Sequence, residues 1–139
     1  MPTMTELQAQ EFLAEPRIGV LSIARADLDG ANAPLSVPIW FDYAPGGDLS
    51  IVTPAESLKA RVLRAAGRAT LVAEESAPRI RYVSVECELV DELAPDQAHT
   101  RTMASRYLPA DAVEGFLTKV PLEGRFVLRP VRWRSADLG

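Results

Sequence analysis

Apolar and polar residues alternate at a period of two in several stretches of this chain. Leu35, Val37, Ile39 and Phe41 alternate with Ser36, Pro38, Trp40 and Asp42, and Val83, Val85, Cys87 and Leu89 alternate with Tyr82, Ser84, Glu86 and Glu88. That spacing predicts half-buried strands. Arg17 to Arg25, Leu49 to Thr53, residues 69–75 and Gly124 to Trp133 also read as strands, the long alternating stretch covering 80–90. Helical segments interrupt them. Leu7, Phe12 and Leu13 lie among helix formers in residues 5–14, which Pro16 ends. Leu58, Val62 and Ala66 form one stripe with Leu63 beside it, and Gly67 stops that helix. Residues 96–107 and 110–118 read as two short helices, the second preceded by Pro109. Tight turns at 27–32 and 45–48 join the early strands, so the sheet should be mostly antiparallel. The expected fold is mainly β (α+β): six strands in a small barrel with short flanking helices. Pro38 cannot donate to a ladder, which places it at an edge, at a bulge or beside something that is not a strand.

Composition narrows the class. With 139 residues, 47% hydrophobic and 24% charged, residues 1–139 read as one ordinary soluble domain without repeat or linker. No apolar run is long enough to cross a bilayer, and the N-terminus has neither a basic nor an apolar signal region, so secretion and membrane insertion are not indicated. The single cysteine, Cys87, excludes an internal disulfide framework and suits a reducing cytoplasm. A net charge of −4 argues against nucleic acid as the main partner.

One segment departs from that acidic balance. Between Glu56 and Glu74 the chain carries no carboxylate and four cations, Lys59, Arg61, Arg64 and Arg68. The run opens Thr53-Pro-Ala-Glu-Ser57-Leu-Lys59-Ala-Arg61, a strand end, a turn and a first helical turn. Unpaired N–H groups at such a junction, with the Ser57 hydroxyl and Lys59 beside them, suit a phosphate held by Thr53, Ser57, Lys59 and Arg61. The plainer alternative is a solvated cationic face on which Ser57 is only an N-cap. The missing acids favour the anion, since exposed helices usually mix signs.

Other candidates carry plainer readings. Trp40 and Tyr82, outside the aliphatic rows, could stack on a planar ligand, pack at a subunit interface or fill a second small core. His99 has no second His and no Cys nearby, so no metal site is expected. Cys87 reads as a small buried hydrophobe. Glu86 and Glu88 read as a solvated edge, and Arg125, Arg129, Arg132 and Arg134 as exposed edge-strand charges. No Walker loop, dinucleotide fingerprint or nucleophile elbow is present. An enzyme built this way would leave the chemistry to a cofactor.

Five segments in order carry a resemblance: Ile18-Gly-Val-Leu-Ser-Ile, Leu35-Ser-Val-Pro-Ile-Trp-Phe41, Ser57-Leu-Lys-Ala-Arg-Val-Leu-Arg64 with Arg68-Ala-Thr-Leu-Val, Arg81-Tyr-Val-Ser-Val-Glu86, and Arg129-Pro-Val-Arg-Trp-Arg-Ser-Ala-Asp137. Together they resemble the split β-barrel flavin and deazaflavin oxidoreductases related to pyridoxamine 5′-phosphate oxidase, over about Phe12 to Leu138. The resemblance implies a homodimer with the cofactor, FMN or coenzyme F-420, in the groove between subunits. It implies Ser36, Val37 and Pro38 against the ring and Thr53, Ser57 and Lys59 on the phosphate, with Arg61 assisting. Tyr82 and Trp133 would reach the cofactor from the other subunit. Cys87 stands where many relatives have glycine, and the C-terminal strand lacks the Arg/His arrangement used on vitamin B6, so B6 oxidation is not expected. The short chain and the Pro-Ile-Trp-Phe strand resemble the branch many of whose members use F-420, and the surplus of arginines offers that coenzyme's acidic tail a place to lie.

The expected function is therefore hydride transfer between bound F-420 or FMN and a small unsaturated or aromatic substrate. Ser36, Thr53 or Tyr82 could polarise the acceptor, and no catalytic residue is assigned. The alternatives are a non-catalytic carrier of flavin, deazaflavin or haem, with His99 the sole histidine to ligate the last, and a dimerisation module without ligand.

Overall fold

The computed structural model describes residues 2–121 and 123–139. Its strands are β1 (Gly19–Ile23), β2 (Leu35–Ile39), β3 (Leu49–Thr53), β4 (Arg68–Glu75), β5 (Arg81–Leu93) and β6 (Gly124–Asp137). Its helices are α1 (Glu6–Ala14), α2 (Leu58–Ala66), α3 (Gln97–Tyr107) and α4 (Ala110–Lys119). All six strands join one sheet in the order β2-β1-β4-β5-β6-β3, with every pairing antiparallel. The sheet curls into a half-barrel with β2 and β3 at its edges. Just past β2, Asp42 and Ser50 exchange two backbone hydrogen bonds of 2.9 Å, a single rung that draws the edges together. Register shifts at Glu86/Cys87 and Leu89/Asp91 in the β5–β6 ladder supply bulges that bend the sheet, and Pro130 sits opposite Cys87 at the first.

Local chemistry sets the helix ends. Thr5 caps α1 in a capping box with Gln8. Ser57 caps α2 by accepting from the Ala60 N–H at 3.1 Å. Gly67 ends α2 in the left-handed region (φ 71°), where a side chain would be strained. Gly19 answers a packing need: a Cβ there would lie 2.7 Å from Leu71 Cδ1 and 3.2 Å from Phe41.

The concave face of the sheet holds the core. Leu21, Ile23, Ile51, Leu71, Val83, Val85 and Phe126 close over Phe12 and Leu13 of α1 and Val62 and Leu63 of α2. Each such side chain contributes about 1.5–3 kcal/mol on burial. Cys87 belongs to this core, as expected. The opposite parity, Val20, Ser22, Ser36, Pro38, Thr70, Val72, Tyr82 and Ser84, forms the convex face, on which Val20, Ser36, Pro38 and Tyr82 are exposed.

Two expectations are corrected. Arg125 is not an edge-strand charge, because Gly124 to Leu128 of β6 runs between β5 and β3, whereas Arg129, Arg132 and Arg134 lie past that pairing on an exposed stretch bonded, among the described residues, to β5 alone, as expected. Nor is Glu86 on an edge: it faces Arg132 and Arg134 across the ladder at 3.6 and 2.8 Å. Strand order comes from long-range pairing, which a local charge pattern does not encode. No helix among the described residues is long and apolar enough to cross a membrane.

Candidate functional site

The start of α2 is a side-chain-capped helix N-terminus. Thr53, buried at the end of β3, and Ser57 share a hydrogen bond of 2.8 Å between their hydroxyls. The Ala60 N–H is taken by Ser57 Oγ and the Arg61 N–H by the Ser57 carbonyl. Among the described residues the N–H groups of Leu58 and Lys59 have no acceptor, at the positive end of the helix.

Lys59 lines a cleft of about 330 Å³ together with Ile18, Pro38, Ile39, Trp40, Val52, Phe116 and Glu123. That volume lies at the lower end of the range for small-molecule sites. Its walls are apolar except for Lys59 and Glu123. Burial pushes the Glu123 carboxyl above its ordinary value, and the Lys59 charge opposes that rise.

Trp40 lies one residue beyond β2 and forms a wall of the cleft. Its ring stacks on Tyr107 at 4.9 Å and 9° and meets Phe116 at 5.3 Å. This is the second small core named above as its plainer reading. The α3–α4 pair behind it is tied down at one point of the chain. Arg106 donates to the carbonyls of Leu13, Ala14 and Glu15 at 3.1, 2.7 and 3.1 Å, satisfying the end of α1. The Tyr107 hydroxyl accepts from the Phe41 N–H at 3.1 Å and donates to the Arg17 carbonyl at 2.8 Å.

The remaining site candidates fall in several places. Ser36 and Pro38 project from the convex face, the Ser36 hydroxyl 2.8 Å from that of Ser22, whereas Val37 packs against the core. Arg61 is exposed on α2 and does not line the cleft. Tyr82 shares the convex face with Pro38 but lies three strands away in the sheet, about 14 Å at ordinary strand spacing. Trp133 packs against the core, its ring 6.0 Å from that of Tyr43. Within one chain, Lys59 and Pro38 meet in a single cleft, while Tyr82 and Trp133 do not join them.

His99, on α3, is buried and its Nε2 has no hydrogen-bond partner among the described residues. Burial and Arg125 hold its pKa below the ordinary value, while Asp42 and Asp96 push the other way. It does not line the cleft. Among the described residues, no group of three or more His, Cys, Asp or Glu is placed to hold a metal ion. Burial pushes the Cys87 thiol up to about 12, which leaves it a poor nucleophile.

Sequence reasoning missed Glu123 and Phe116 as cleft residues. Glu123 precedes β6 and Phe116 sits on α4, both far along the chain from Lys59. Trp40 left a signal, sharing the outward parity of Ser36 and Pro38.

No protein-family model matches the chain, and no curated protein matches it. Solved structures do. One is an F420 reductase, 23% identical, with a TM-score of 0.69 over 89% of this chain and 94% of that one. A conserved hypothetical protein of Mycobacterium tuberculosis is 22% identical, with a TM-score of 0.71 over 98% and 86%. A FAD-binding protein of Mesorhizobium loti is 18% identical, with a TM-score of 0.69 over 99% and 97%. At fold level the chain therefore fits the split-barrel flavin and deazaflavin proteins.

Proposed function

We propose that this protein binds FMN or coenzyme F-420 and transfers a hydride between it and a small unsaturated or aromatic substrate. The observation that carries this reading is the single cleft that brings the Pro38–Trp40 segment to Lys59 beside the open start of α2. The ligand's phosphate would lie on Lys59 and the free N–H groups of Leu58 and Lys59, with Thr53 and Ser57 fixing the geometry of that turn. The ring would lie against Pro38. A bound flavin or deazaflavin supplies two-electron hydride chemistry that no side chain here provides. The chain's own part is to hold, orient and shield: Trp40 and Phe116 wall the cleft, and the convex sheet face offers Ser36 and Tyr82.

The exposure of Val20, Pro38 and Tyr82 on that face supports a homodimer in which a second copy covers it and brings its own Tyr82 toward Pro38. Light scattering of the purified protein tests this, a monomeric mass counting against it.

The decisive experiment is titration of FMN and F-420 against the wild type and Lys59→Ala. Weaker binding of both coenzymes to the variant is expected, and equal affinities would contradict the phosphate assignment. Turnover of reduced cofactor with an acceptor then separates an oxidoreductase from a carrier.

A further inference from the structure

Among the described residues, the cleft holds one acid and one cation. Glu123 and Lys59 are the charged residues lining a pocket that is otherwise Ile18, Pro38, Trp40 and Phe116 with their aliphatic neighbours. Among the described residues, neither has an ion-pair partner within 4 Å. A half-buried carboxylate without a close partner is costly, and Lys59 is the charge that offsets it. A phosphate that takes over Lys59 must share it with Glu123. The like charges then repel, and the penalty grows with the charge the phosphate carries.

We propose that Glu123 is a specificity-determining residue that sets the charge class of the ligand, favouring a singly charged phosphodiester over a doubly charged phosphomonoester on Lys59. This rests on the phosphate reading of the cleft given above. A terminal monoester such as that of FMN carries between one and two negative charges near neutral pH, with a second pKa near 6. A phosphodiester carries one at any pH of interest. The Lys59–Glu123 pair therefore tolerates the diester and penalises the monoester, whatever ring the ligand bears.

Two riboflavin derivatives isolate the effect: FMN, a monoester, and riboflavin 4′,5′-cyclic phosphate, a diester with the same ring and the same polyol chain. Both are titrated by flavin fluorescence against wild type, Glu123→Gln, Glu123→Asp and Lys59→Ala, each shown to be folded by its melting curve. Glu123→Gln is expected to tighten FMN about tenfold and the cyclic phosphate about threefold, the gap narrowing in 1 M salt. Glu123→Asp, which keeps the charge, should keep the wild-type preference. Unchanged affinities, equal tightening of both ligands or weaker FMN binding in Glu123→Gln would overturn the proposal. If Lys59→Ala binds FMN as the wild type does, the phosphate reading itself fails. If Lys59→Ala weakens FMN while Glu123→Gln changes nothing, only the role of Glu123 fails.

Discussion

Two charged clusters in this molecule treat their charges in opposite ways. In one, Glu75 at the end of β4 accepts from Arg17 at 2.8 Å and from Arg81 at 2.9 Å, and both guanidinium groups lie over the Phe12 ring, at 3.6 and 4.9 Å. Arg17 also donates to Glu15 and to the Phe12 carbonyl, so its donors are largely used. In the other, Lys59 and Glu123 share a cleft without forming a close pair. The first cluster is internally balanced and ties the end of α1 to the ends of β4 and β5. The second keeps a cation beside open backbone donors, which suits a group that arrives from outside. Net charge does not separate the two. Satisfaction of donors and acceptors does.

That contrast can be broken from either side, and the largest effect is expected at the balanced cluster. Glu75→Ala strips two guanidinium groups of their shared anion and should lower the thermal midpoint more than Lys59→Ala, His99→Gln or Cys87→Ala would. Cofactor affinity of the folded fraction should not move. An unchanged midpoint would demote the cluster to an ordinary surface pair.

Lys59→Ala should do the reverse. It is expected to weaken FMN or F-420 by about 1.5–3 kcal/mol, roughly tenfold to more than a hundredfold. Stability should stay within about 0.5 kcal/mol of wild type, as for most partly exposed sites. A large loss of stability with unchanged affinity would make Lys59 a structural residue.

Acid titration sharpens the comparison further. Hydrogen bonds from Arg17 and Arg81 hold the Glu75 carboxyl below its ordinary 4.5, so its stabilisation is present above that pH and fades as pH falls toward its folded value. The His99 imidazole is held low by burial, so the unfolded chain takes up a proton first as pH falls through about 6.5. Stability should therefore decline in two acid limbs, the upper removed by His99→Gln and the lower reduced by Glu75→Gln, with Asp27, Glu92 and Asp137, also held low, supplying the rest. Melting curves between pH 7 and 3 read both.

The smallest effect is alkaline. Cys87 holds its proton to about 12 in the fold, whereas the unfolded thiol loses it near 9, so stability should fall gently as pH rises through that interval. Cys87→Ala should flatten the fall, and a thiol reagent at pH 8 should label the wild type only after denaturation.

Much of this architecture was legible because its signals are local. The alternation through Leu35–Phe41 and Val83–Leu89 is a property of neighbours, and so are the caps at Ser57 and Gly67. The strands came out within a few residues, with β5 reaching Leu93 and β6 Asp137, beyond the 90 and Trp133 expected. Strand order was not local, which is why Arg125 and Glu86 were misplaced at an edge. The cation of the cleft could be read from the run around Lys59, since its setting is the first turn of a helix. Its acid and its aromatic wall could not. Glu123 and Phe116 acquire their places only when the segment from α3 to β6 folds back over β2 and β3.

That segment reaches the rest of the protein partly through two adjacent side chains, Arg106 and Tyr107, which grip main-chain atoms of residues 13–17 and 41. Main-chain anchors are indifferent to the identity of the residues they hold. Drift in the amino acids at 13–17 or 41 therefore leaves the clasp intact, and substitutions along 110–119 can reshape the mouth of the cavity while its footing endures. A change at Phe116 would thus alter the lining of the cleft without loosening the anchor that holds α3 and α4 in place.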